Sequence, residues 1–139
     1  MQPLENMETT DWTEKFNENK RDMETYHVIG AAMEVHKILG PGLLEAAYGD
    51  ALEIEFRRRD IPFEREKMLP IHYKDEVLTT KYYADFLCYG SVVVELKAVE
   101  AILNIHKAQL IHYLNITHLK KGLLLNFKSL KLDYHRYIL

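Results

Sequence analysis

The sequence predicts a mixed β-sheet flanked by helices, an α/β fold bordering on α+β. Three observations carry that expectation. Apolar residues recur at three- and four-residue steps from about residue 26 to 59. The period then shortens to that of strands from residue 63 to 97. A second helical stretch near 101–116 is followed by a continuous apolar run at 122–127.

Taken in order, residues 1–20 are polar, acidic and poor in aliphatics, the composition of a disordered arm ahead of a single domain at 21–139. Tyr26 to Leu39 carries Val28, Ile29, Ala32, Val35, Ile38 and Leu39 on one helical stripe, and Gly40-Pro41-Gly42 breaks it. Leu43 to Arg59 reads as a second helix, with Leu44, Ala47, Tyr48, Ala51, Leu52 and Phe56 inward; Asp60-Ile61-Pro62 closes it. Phe63 to Met68 and Pro70 to Tyr73 look extended, and Lys74-Asp75-Glu76 turns the chain into Val77 to Thr80. Lys81 to Cys88 and Ser91 to Lys97 form a hairpin around Tyr89-Gly90, with β-branched Val92-Val93-Val94 suited to a buried strand. Ala101 to Ile116 is helical through Ile102, Ile105, Ala108, Leu110, Ile111 and Leu114. Gly122 to Phe127 suits an interior strand covered on both faces, and Leu130 to Leu139 is a last strand.

The bulk properties bound the function. At 139 residues and 47% hydrophobic content, the chain is sized for one core. No apolar run approaches the ~20 residues of a membrane span, and the first residues lack the apolar core of a secretory signal, so no membrane partner and a cytoplasmic address are expected. Cys88, the only cysteine, excludes an internal disulfide and a thiolate-rich zinc site; within an apolar strand it reads as a packing residue. The net charge of −3 argues mildly against nucleic acid. Residues 1–25, however, hold seven acids against three bases, a balance of −4 that leaves the remainder at +1. Arg57-Arg58-Arg59 and Lys120-Lys121 are either phosphate contacts or solvated element ends.

Glu95 and Lys97 lie two apart on a strand and share one face with Val93, while Val92, Val94 and Leu96 point the other way. Burying two charges there is costly unless they serve each other or a cation. Two readings stand: an ion-paired strand end, or a site. Asp85 interrupts the preceding apolar strand. Two carboxylates meeting across the hairpin would repel unless a divalent ion lay between them. Mg²⁺ or Mn²⁺ with Asp85, Glu95 and Lys97 suffices for metal-assisted phosphodiester hydrolysis. The geometry makes one demand. A two-residue loop at Tyr89-Gly90 pairs Asp85 with Val94 and sends the acids to opposite faces; a three-residue loop through Ser91 pairs Asp85 with Glu95.

Gln109 and Tyr113 stack one helical turn apart, either anchoring the helix to the sheet or forming a lid over the site. Glu45 falls in the first turn of the second helix, where an acid suits the dipole, and Gly42 suits the tight entry to it. The seven histidines show no ligand spacing.

Gly42-x-x-Glu45-x-x-Tyr48 resembles the signature of the GxxExxY protein family, and the resemblance covers nearly all of residues 23–139. It includes Glu34 to Gly42, Ala84-Asp85, Val93-Val94-Glu95-Leu96-Lys97-Ala98, Gln109-Leu110-x-x-Tyr113-Leu114 and Lys121 to Phe127. That family is grouped with the PD-(D/E)XK nuclease superfamily, and Gln109 with Tyr113 is similar to the Q-x-x-x-Y element of its RecB-type and lambda-exonuclease-type members. Ala84 stands where the superfamily name has proline. The resemblance implies a restriction-endonuclease-like core of helix, three-stranded meander, helix and strand. It implies metal ligation by Asp85, Glu95 and the backbone carbonyl of Leu96, with Lys97 catalytic and Glu45 a helix-borne acid near the metal. The expected function is a Mg²⁺- or Mn²⁺-dependent nuclease acting on DNA. The alternatives are a catalytically silent module binding nucleic acid or protein on the same fold, and a homo-oligomeric structural protein using some of the nine tyrosines at an interface.

Overall fold

The computed structural model describes residues 22–139; the expected arm at 1–20 lies outside the described residues. Two helices, α1 (Met23–Leu39) and α2 (Glu45–Arg58), precede the strands β1 (Phe63–Tyr73), β2 (Glu76–Cys88) and β3 (Val92–Lys97). Helix α3 (Asn104–Thr117) then leads to β4 (Lys121–Asn126) and β5 (Asp133–Ile138). The five strands form one sheet in sequence order. All neighbours are antiparallel except β3 and β4, which run parallel because α3 carries the chain back across the sheet.

The sheet has apolar cover on both faces. On one face Val28, Ala32 and Val35 of α1 and Tyr48, Leu52 and Phe56 of α2 meet Phe86, Val92, Val94, Leu96, Leu123 and Leu125. On the other, Leu110, Ile111 and Leu114 of α3 meet Tyr82, Ala84, Leu87, Val93 and Leu124. Strand β4 is therefore buried from both sides, as its Leu123-Leu124-Leu125 run predicts. Cys88 is fully buried, and burial pushes its thiol up to about 12, the chemistry of a packing residue.

The helix–helix turn is tied from inside. Tyr48 stacks on Phe127 at 4.5 Å between ring centroids. Its hydroxyl donates to the Gly40 carbonyl at 2.6 Å and accepts from the Leu43 amide at 3.2 Å. Gly42 sits at φ 107, where a side chain would be strained.

Some expected inward positions are outward. Leu44 is 81% exposed because α2 begins only at Glu45, and Ile105 is 69% exposed in the first turn of α3, which begins at Asn104. Ile38 and Leu39 are also exposed, at the end of α1, where the helix runs past the sheet-facing cluster. The basic groups are largely neutralised. Arg57 pairs with Glu53 at 3.3 Å, Arg59 with Glu55 at 2.7 Å, and Lys121 with Asp22 and Glu24. Among the described residues no helix is long and apolar enough to cross a membrane.

Candidate active site

Strands β2 and β3 pair only over Phe86–Cys88 and Val92–Val94, joined by the three-residue loop Tyr89-Gly90-Ser91. Tyr89 and Gly90 both take left-handed backbone, at φ 57 and 65. In this register the next step along the pair sets Asp85 toward Glu95, the arrangement that a two-residue loop would have forbidden. Beyond that step the ladder opens, and Asp85 fills the gap. Its carboxylate accepts a 2.7 Å hydrogen bond from the Leu96 amide. Within a strand the N–H and C=O of one residue project to the same side, so the Leu96 carbonyl also points into this gap.

A local irregularity gives Asp85 its aim. Along β2, Tyr82 and Ala84 face α3, and so does Leu87, while Phe86 and Cys88 face the other helices. The regular alternation is broken at Asp85, which shares its side with Phe86. On β1 the partner position is Glu66, in left-handed backbone at φ 51, where the β1–β2 pairing skips one step. Arg65 beside it bonds Asp50 at 2.7 Å and Glu53 at 3.1 Å, fixing α2 against this kink. A hollow of about 130 Å³ results, lined by Glu45, Gly49, Arg65, Glu66, Asp85 and Leu96, among others.

Glu95 occupies the α3 side of the gap. Burial and the neighbouring Asp85 carboxylate push its carboxyl up to about 8, while the Tyr82 hydroxyl bond and the Lys97 charge pull the other way. Lys97 lies on the same strand face as Glu95. Tyr82 donates its hydroxyl to Glu95, and burial with that negative neighbour raises the phenol's own pKa. Tyr113 stacks on Tyr82 at 3.6 Å, and Gln109 donates to the Tyr113 hydroxyl at 3.0 Å. The Gln109–Tyr113 pair thus reaches the acids through Tyr82.

Asp85, Glu95, Leu96 and Lys97 are therefore brought together, with Gln109 and Tyr113 one residue further out. Glu45 lines the hollow on the opposite side from Glu95. Among the described residues no three His, Cys, Asp or Glu side chains converge as a metal-holding group, so Glu45 does not join the two acids as a third direct carboxylate. The reason is positional: Glu45 starts a solvent-exposed helix end on the α2 side, while Glu95 faces α3.

Three contributors escaped the sequence reading. Tyr82 is three residues from Asp85, so regular alternation assigns it to the other face. Arg65 lay inside an unremarkable charged strand. Asn126, fully buried beside Lys97, accepts from the Val99 amide at 3.1 Å and donates to the Val99 carbonyl at 2.9 Å. A polar residue ending an all-apolar strand was the one available signal for it.

Fold and site together define a restriction-endonuclease-like domain. The chain belongs to the PD-(D/E)XK nuclease superfamily, whose family model matches residues 22–137. A solved structure titled "Crystal structure of SSO0001" is similar in fold, with a TM-score of 0.53 at 23% identity, over 67% of this chain and 48% of that one. The chain thus spans about half the length of that structure. Comparison with curated proteins finds no match.

Proposed function

We propose that this chain is a GxxExxY-type nuclease that hydrolyses phosphodiester bonds in DNA with the help of Mg²⁺ or Mn²⁺. The observation that carries the reading is the meeting of Asp85 and Glu95 where β2 and β3 stop pairing, with Lys97 beside them. The residues fit a hard divalent cation. Two carboxylates are crowded enough to push one up to about 8 despite the Lys97 charge, and the donor set around them is all oxygen. Asp85, Glu95 and the Leu96 carbonyl would hold the ion, with Glu45 reaching it through water from the hollow.

When bound, the cation would supply Lewis-acid polarisation of the scissile phosphate and a water of lowered pKa. Lys97 places a positive charge beside Glu95, where it neutralises negative charge building on the phosphate oxygens and orients the attacking water. Tyr82 holds the Glu95 carboxylate in one orientation, and Tyr113 with Gln109 holds Tyr82. The leaving oxygen takes its proton from solvent.

The test is cleavage of plasmid and oligonucleotide DNA by the purified protein in Mn²⁺. Wild type should cut, and Asp85→Asn and Lys97→Met should lose activity by about 100-fold or more while keeping their circular dichroism. Wild-type rates in either variant would reject the assignment. A non-cleaving binding module is the second reading, favoured by the ion pairs that occupy Arg57, Arg59 and Lys121. A folded protein that takes up no Mn²⁺ in titration would select it.

A further inference from the structure

We propose that the open face of the β1–β2 ribbon next to Asp85 is a stacking platform for unpaired bases, so that the chain takes single-stranded nucleic acid or frayed ends rather than closed duplex. This rests on the nuclease reading and names its substrate class.

The ribbon's two faces differ. On the α3 side Leu69, Tyr82 and Ala84 are buried. On the other side the alternate residues, Met68 and Pro70 on β1 and Lys81 and Tyr83 on β2, are exposed. Met68 lies directly across from Tyr83, and Pro70 from Lys81. Tyr83 is 57% exposed and Met68 38%, an aromatic and a thioether side by side on a rigid sheet. Lys81 makes no ion pair among the described residues, unlike Arg57, Arg59, Arg65 and Lys121.

Two arguments select nucleic acid as the occupant. The first is continuity. Lys81, Tyr83 and Asp85 follow one another at two-residue steps, so the platform runs straight into the hollow that Asp85 lines. On the α3 side Tyr113 stacks on Tyr82, whose hydroxyl donates to Glu95. A strand whose phosphate reaches Asp85 along this face lays its next nucleotides over Tyr83 and Lys81. The second argument is chemistry. An exposed ring with an uncompensated cation two residues further along matches a base and its phosphate, a pairing that tolerates any sequence. A base presents its face to such a ring only when it is unpaired.

The experiment measures binding by fluorescence anisotropy in Ca²⁺, with a 12-nucleotide oligo-dT and a hairpin-closed duplex as probes, alongside cleavage in Mn²⁺. Wild type should prefer the single strand. Tyr83→Ala should weaken single-strand binding by roughly ten-fold and Lys81→Ala by a few-fold that shrinks in high salt, while Tyr83→Phe keeps wild-type affinity. Duplex preference, or unchanged oligo-dT binding in Tyr83→Ala, overturns the proposal. So does a wild-type dimer in sedimentation that Tyr83→Ala converts to monomer with oligo-dT affinity intact, since the face would then belong to a second copy. The two readings fail separately. Tyr83-dependent oligo-dT binding without cleavage sinks the nuclease and keeps the platform; cleavage with binding indifferent to Tyr83 does the reverse.

Discussion

Tyr82 on β2 donates its hydroxyl to Glu95 on β3, and the same ring lies flat against Tyr113 of α3. Helix α3 thereby sets the orientation of an acid it does not itself touch through Gln109 or Tyr113. Removing the hydroxyl alone keeps the stack and frees the carboxylate. Tyr82→Phe should fold normally and bind Mn²⁺ about 10- to 100-fold more weakly, as outer-sphere substitutions do. Isothermal titration checks it, and an unchanged affinity would show that Tyr82 only packs.

Glu95 makes the metal-free protein sensitive to pH in a defined direction. Its carboxyl is raised from 4.5 to about 8, so between those values the folded state holds more protons than the unfolded one. Stability must fall as pH rises through that window. The loss should be on the order of 1–2 kcal/mol after solvent screening, and Glu95→Gln should abolish it. Urea unfolding at pH 5 and pH 8 in EDTA measures the slope. Added Mn²⁺ should stabilise wild type more at pH 8, where the acid is ready to bind it.

How far the site can be read from sequence depends on which residues obey regular geometry. The order of elements, the doubly covered β4 and the pairing of Gln109 with Tyr113 all follow from period and spacing. The hairpin register does not, because Val92-Val93-Val94 is apolar on both faces and fits either loop length equally. The kink at Glu66 and Asp85 is equally silent. It uses a left-handed glutamate where a glycine would have announced it, and it alone brings Tyr82 to the Glu95 side. Glu45 was correctly set at a helix start, yet only the folded chain shows it across the sheet from Glu95.

Gly42, Glu45 and Tyr48 act as one device for aiming α2. Gly42 takes φ 107, and the Tyr48 hydroxyl bonds both Gly40 and Leu43, so the helix begins where Glu45 overlooks the hollow. Gly42→Ala forces a side chain into that conformation and should cost about 1–3 kcal/mol. Tyr48→Phe keeps the stack on Phe127 but strands a carbonyl and an amide, and should cost about 1–2 kcal/mol. Chemical denaturation of the two variants tests both values. Glu45→Gln, by contrast, should leave stability unchanged and lower cleavage.

Asn126 governs the chain just after Lys97. The two residues lie side by side in the parallel β3–β4 register, and the Asn126 amide closes a two-way bond with the Val99 backbone. Its carbonyl oxygen also accepts from the Lys128 amide at 3.3 Å. Asn126→Ala leaves these backbone groups without a partner in a buried place and should cost about 2–4 kcal/mol. Asn126→Asp preserves the acceptor but buries a charge and turns an oxygen toward the Val99 carbonyl, so it should destabilise as well. In both variants the segment after Lys97 loosens, so kcat should fall by roughly ten-fold in the folded protein with KM little changed. Equal losses in kcat and stability across both variants, with no split between kcat and KM, would reduce Asn126 to a packing residue.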